Sequence, residues 1–209
     1  MRYFQAIAGF PGVCGVIDGT LIKIKGPSVN EFEYVGRKGG HTINVQAVAL
    51  PDGSFSNVLA KYPGRAHDSR IFRESSLYAD LVAGRKQGLL LGDAAYALAP
   101  FLMKPLANPV TIAERRYQKA FCATRAAVER GFGQLKGRFN CLHQELRYTP
   151  DRCCTIIAAC FGLHNFAIRR NMQPFPAEDD AHDEDQSEEM DNADGKVRQR
   201  QIIRTYFTE

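Results

Sequence analysis

The chain has 209 residues, 44% of them hydrophobic, which suits one domain with a real core, and it contains no run of eighteen or more apolar residues that could form a membrane-spanning helix. Its six cysteines, at 14, 122, 141, 153, 154 and 160, form no C-x-x-C pair, which argues against a disulfide framework or a zinc ribbon. The net charge of +4 hides an asymmetry: from Pro174 onward eleven acidic residues stand against four basic ones, which leaves residues 1–173 with twenty-three basic and twelve acidic side chains. A body this basic points to a polyanionic partner, and nucleic acid is the commonest. No signal peptide opens the sequence, and the expectation is an intracellular protein without a membrane.

Residues 1–12 read as a short lead-in ending in the turn Phe10-Pro11-Gly12. Val13 to Ile24 is filled with apolar and β-branched residues, as a strand in the middle of a sheet is, yet it carries Asp18 at its centre with Gly19 next to it. Lys23 to Gly40 is basic and irregular. Thr42–Leu50 and Phe55–Tyr62 predict two more strands joined by the hairpin signal Pro51-Asp52-Gly53-Ser54, giving three antiparallel strands in succession. Pro63–Ser69 breaks the sheet, and Asp68 or Ser69 can cap a helix running to about Ala83.

Leu89–Leu91 is a buried fourth strand ending in Gly92-Asp93, and the region 97–110, with three prolines, reads as an irregular connection. A long helix is predicted from about Tyr117 to Phe139, with Val128, Phe132, Leu135 and Phe139 on one face, and another from about Asp151 to Arg170. These elements make a body over 1–173. An acidic linker over 174–195 is expected to be disordered, and a basic-apolar tail over 196–209 to fold back onto the body. The fold class is α/β, a mixed sheet with flanking helices.

A carboxylate desolvated between Ile17 and Leu21 is costly unless something positive neutralises it, and the simplest such partner is a divalent cation. With the first and fourth strands side by side, Asp18 meets Asp93, and Glu129 faces them from the long helix. On that helix Arg125, Glu129, Gly133, Lys136 and Asn140 share a face about 100° from the apolar stripe. An all-carboxylate set selects Mg²⁺ or Mn²⁺. Two such ions about 3.5–4 Å apart clamp the attacking and leaving oxygens of a phosphodiester, the nucleophile being water or a DNA 3′ hydroxyl. Asp18, in mid-strand, is the candidate bridging ligand. Lys23, Lys25, Arg37, Lys38 and His41 surround the first strand, and Arg115, Arg116, Lys119, Arg125 and Lys136 lie along the helix. They are read as phosphate contacts, which position DNA without specifying its sequence. Cys160 and His164 are read as core, and His67 as a structural hydrogen-bonding group.

Six segments carry a resemblance: Phe10–Thr20 (FPGVCGVIDGT), Tyr34–Gly39 (YVGRKG), Pro63–Ser69 (PGRAHDS), Leu91–Tyr96 (LGDAAY), Thr124–Phe139 (TRAAVERGFGQLKGRF) and Leu163–Asn165 (LHN). In this order they are similar to the PIF/Harbinger superfamily of DDE transposases, and within it to the transposase-derived nucleases of animals. The resemblance implies a ribonuclease-H-like fold of the DDE transposase and integrase type, and a metal-dependent DNA endonuclease with Asp18, Asp93 and Glu129 as its triad. It further implies Asp68, in the His-Asp-Ser motif, as another carboxylate near the metals. A separate Myb-like DNA-binding partner protein, a homo-oligomer, and residence in nucleus and cytoplasm are implied with it.

Leu21 stands where the family commonly has His or Tyr, Ala94-Ala95 where Ser-Gly is usual, and Gln118 where Asn is common. None of these departures removes a metal ligand. The family's N-terminal helical DNA-binding region, which precedes the Phe-Pro-Gly motif, is expected to be absent. Such departures motivate a second reading, a domesticated, catalytically silent DNA- or protein-interaction module that keeps the fold. Asp18-Gly19-Thr20 also resembles the opening of haloacid-dehalogenase-type phosphatases, but their nucleophile, two positions upstream, is Val16 here, which cannot attack phosphorus.

Overall fold

The computed structural model describes residues 2–36, 39–176 and 190–208. The elements run α1 (Arg2–Ala8), β1 (Val13–Ile24), α2 (Glu31–Tyr34), β2 (His41–Ala49), β3 (Phe55–Pro63), α3 (Asp68–Arg73), α4 (Ser76–Val82), β4 (Leu89–Leu91), β5 (Leu102–Met103), α5 (Ile112–Arg138), α6 (Pro150–Arg169) and α7 (Ala193–Tyr206). The five strands form one mixed sheet in the order β3-β2-β1-β4-β5. β1 is antiparallel to β2 and parallel to β4, so the expected neighbours are the observed ones. This is a ribonuclease-H-like sheet of the DDE type.

The sheet is covered on both faces, which is why β2 is buried along nearly its whole length. On one face Ile17, Val48, Leu90 and Leu102 pack with Phe72, Leu77 and Leu81 of α3 and α4. On the other, Val16, Ile22, Val45 and Ala47 pack against Val128, Phe132 and Leu135 of α5, with Ile157 and Phe161 of α6 beside them. Among the described residues no helix is long and apolar enough to cross a membrane.

Several local features differ from the expectation. The lead-in is a helix, α1, whose Phe4 is buried in the main core. The helix predicted from Asp68 to Ala83 is two, because Ser75 interrupts it: its hydroxyl donates to the Phe72 carbonyl and accepts from Tyr78 N at 3.0 Å, capping α4. α5 starts five residues earlier than predicted, where Thr111 and Glu114 form a reciprocal capping box. The irregular connection contains the short strand β5.

Of the segment expected as linker, residues 177–189 lie outside the described residues. Its flanks are placed. Arg138 stacks on the Phe175 ring at 5.3 Å, and Asp191 accepts from Lys104 Nζ at 2.6 Å and from Leu98 N at 2.9 Å. Asn192 then caps α7, so the ordered tail begins before residue 196. α7 does fold back: Gln199 donates to the Lys104 carbonyl (2.9 Å) and to Tyr117 Oη (3.0 Å), and Phe207 joins Phe10 and Tyr117 in an aromatic cluster at the start of α5.

Candidate active site

Asp18 lies at the centre of β1, opposite Ala47 of β2, and points toward α5. It is 3% exposed. One carboxylate oxygen accepts from the Gly19 amide at 3.0 Å, and the other meets Arg125 Nη2 at 2.8 Å. The second nitrogen of that guanidinium, Nη1, donates to Glu129 Oε1 at 3.1 Å, so Arg125 bridges two of the three expected triad carboxylates. Asp93 follows β4, which runs beside β1, and its Oδ1 accepts from Ala95 N at 2.9 Å. Asp68 opens α3 and is 7% exposed.

Asp68 reaches this group from the opposite face of the sheet. Its carboxylate presses on the backbone of Gly19, where a Cβ would overlap it, so only glycine permits the approach. Two amides of β2 hold it there. Asn44 Nδ2 donates to Asp68 Oδ1 (2.7 Å) and to the Ala66 carbonyl (2.9 Å), and Gln46 Nε2 donates to the Asp68 carbonyl (2.8 Å) and to Tyr96 Oη (3.0 Å). Neither amide is anticipated by the sequence reading. Their signal is nonetheless present, because polar Thr42, Asn44 and Gln46 alternate through a strand buried on both faces and so require partners.

The electrostatics are those of a crowded anionic site. Burial drives the Asp18 carboxyl up to about 8, Arg125 opposes this, and the neighbouring Asp93 and Asp68 charges add to it. Burial works against the Arg125 charge, but Asp18, Asp93 and Glu129 outweigh it and hold the guanidinium more firmly protonated than usual. Burial and the charges of Asp68, Asp18 and Asp93 likewise lift the Tyr96 phenol well above its ordinary range, so it stays neutral.

The donor set fits a hard divalent cation. Asp18, Asp68, Asp93 and Glu129 offer only carboxylate oxygens, and Asp93 and Asp68 raise the cost of charging Asp18. Among the described residues no group of three His, Cys, Asp or Glu side chains is arranged to hold a metal ion. Glu129, with 44% of its side chain exposed, turns to Arg125, whose guanidinium also binds Asp18.

The expected phosphate contacts divide. Lys23 and Lys25 are exposed beside β1. Arg37 and Lys38 lie outside the described residues. Lys136 is 4% exposed, drawn inside the helix face expected to point outward. Arg125 is committed to the carboxylates, with 20% of its side chain exposed. His67, exposed, occupies the N-cap position of α3 without a side-chain capping bond.

His164 is core, as expected: it is fully buried, and its Nε2–H donates to the Gly53 carbonyl at 3.1 Å. Its neighbour Asn165 clamps Phe55, accepting from its N–H and donating to its carbonyl, both at 2.8 Å. The Leu-His-Asn motif therefore fastens α6 to the β2–β3 hairpin.

A ribonuclease-H-like sheet with one acidic residue central in its first strand, a second just past the fourth, and a third on the following long helix defines the DDE class of proteins. The chain belongs to the family described as DDE superfamily endonuclease, which matches residues 17–165. It is 36% identical to mouse "Putative nuclease HARBI1", a Harbinger-derived protein, and 35% identical to the human one, each over 216 aligned positions that take in 98% of this chain. The chain spans 62% of the length of these relatives. "Protein ALP1-like" from Arabidopsis thaliana is 27% identical over 184 positions, 79% of this chain and 45% of that protein. No solved structure matches.

Proposed function

We propose that the chain is a transposase-derived, divalent-metal-dependent DNA endonuclease. One observation carries the reading: on a DDE fold, Asp18 is buried beside Asp93 and Asp68, a concentration of desolvated carboxylates whose negative charge a bound divalent cation would offset. Asp18, Asp68, Asp93 and Glu129 would hold Mg²⁺ or Mn²⁺, with Asp18 in mid-strand as the shared ligand. When bound, such ions activate water or a 3′ hydroxyl and stabilise charge on the leaving oxygen.

The chain's own residues supply the rest. Asn44 and Gln46 orient Asp68, and the Gly19 amide fixes one oxygen of Asp18. The exposed Lys23 and Lys25, with Arg37 and Lys38, draw the DNA backbone to the site. DNA is thus the macromolecular partner. A Myb-like partner protein, self-association, and activity in nucleus and cytoplasm belong to the same proposal.

The test is plasmid nicking in Mg²⁺ and in Mn²⁺, with and without a Myb-like partner, for wild type, Asp18→Asn and Glu129→Gln. Metal binding is followed by calorimetry alongside. Nicking by wild type alone supports the endonuclease. Binding of DNA without cleavage in either metal would favour the second reading, a silent interaction module, which the absence of a closed metal cluster among the described residues keeps in view.

A further inference from the structure

Arg125 is placed unlike a residue waiting for DNA. Its two terminal nitrogens are spent on Asp18 Oδ2 (2.8 Å) and Glu129 Oε1 (3.1 Å), and its Nε is buried with no hydrogen-bond partner. An arginine four residues before a glutamate is the weaker order for such a pair on a helix. The contact across to β1, a charge-assisted bond at short range, is therefore what holds the side chain in. A guanidinium so placed supplies positive charge at the carboxylate where the proposed metal would, and it also binds Glu129.

We propose that Arg125 is the resident counter-cation of the metal-free site, and that a divalent ion binds by displacing its guanidinium from Asp18 and Glu129 toward solvent. The inference rests on the metal-dependent reading above. A dication at Asp18 repels the guanidinium that shares the same carboxylate oxygen. Release from Arg125 in turn frees Glu129, already partly exposed, to join the metal ligands. Arg125 is thus a positioning residue: it sets the threshold at which the site assembles and holds Glu129 in reserve until metal arrives. The arrangement offsets part of the Asp18 charge in the absence of metal without a second bound ion.

The experiment is Mg²⁺ titration calorimetry in alkaline buffer, without DNA, on wild type, Arg125→Gln and Arg125→Lys, each checked for folding by circular dichroism. Removing a charge-assisted competitor should tighten Mg²⁺ binding in Arg125→Gln on the order of tenfold, with Arg125→Lys between. In parallel, the side-chain nitrogen resonances of Arg125 in ¹⁵N-arginine-labelled wild type should lose their restricted rotation as Mg²⁺ saturates. Wild-type binding with equal or weaker affinity in Arg125→Gln, or Arg125 resonances unmoved at saturation, would overturn the exchange while leaving the metal site intact. No Mg²⁺ binding by any of the three folded proteins would overturn the metal reading and the exchange together.

Discussion

Replacing Asp18 by Asn probes the charge arrangement most directly. Burial pushes the Asp18 carboxyl from its ordinary 3.8 to about 8, with Arg125 opposing and Asp93 and Asp68 reinforcing the shift. The shift is upward for an acid, so in this window the unfolded chain has released a proton that the folded chain still holds. Stability is therefore greatest below about pH 4 and falls as pH rises through the window to about 8. At about 1.4 kcal/mol per tenfold, the full displacement gives a ceiling of roughly 6 kcal/mol, which reorganisation around the buried charge reduces. Asparagine keeps the shape of the protonated carboxyl and abolishes the titration. In chelator, Asp18→Asn should match wild type near the acidic end and exceed it by at least about 2 kcal/mol at the alkaline end. In a chain of this length that corresponds to roughly 4–8 °C in Tm. Urea unfolding followed by circular dichroism across the range measures this, since the chain has no tryptophan to report. Added Mg²⁺ should reverse the order, because only wild type retains the ligand and is stabilised by mass action. Equal stability of the two proteins at every pH would refute the desolvated-carboxylate argument.

Asn44→Ala removes the buried donor to Asp68 and should cost about 1.5–3 kcal/mol in thermal unfolding. Through its orienting role it should also weaken Mg²⁺ binding by roughly 10- to 100-fold in calorimetry. Asn165→Ala strips both backbone bonds from Phe55 and should lower stability by about 1–3 kcal/mol, with hydrogen exchange at the Phe55 amide rising more than elsewhere. Phe207→Ala opens the aromatic cluster against Phe10 and Tyr117 and should cost on the order of 3 kcal/mol; unchanged denaturation would mean that α7 contributes little to holding α5.

The main frame of the site is legible in the sequence, and the reasons are local. A twelve-residue apolar strand cannot hide an aspartate by accident, the Asp-Gly hairpin fixes β2 against β3, and the apolar spacing on α5 puts Glu129 at the edge of the core. What escaped depends on tertiary context. α7 reads as a basic-apolar tail rather than a helix because its buried positions, Gly195, Gln199 and Ile202, are few and only one of them is a large apolar residue. The break between α3 and α4 turns on a single hydroxyl bonding in both directions. Arg125 reads as a phosphate contact until Asp18, 107 residues away, is placed beside it. Lys136 shares the Arg125 face in projection, yet it is buried, because angular position on a helix does not report what lies across from it.

The clamp on Phe55 also bears on how this protein avoids its own kind. β3 ends the sheet, and a terminal strand displays N–H and C=O groups that would template another chain. The Asn165 carboxamide meets both groups of Phe55 as a peptide unit of a further strand would, so at that position the ladder is closed by a side chain. At the other end, Lys104, just past β5, gives its carbonyl to Tyr117 and Gln199. Losing the Asn165 carboxamide therefore does more than subtract two hydrogen bonds: it uncovers an N–H and a C=O on a terminal strand, where another chain could pair.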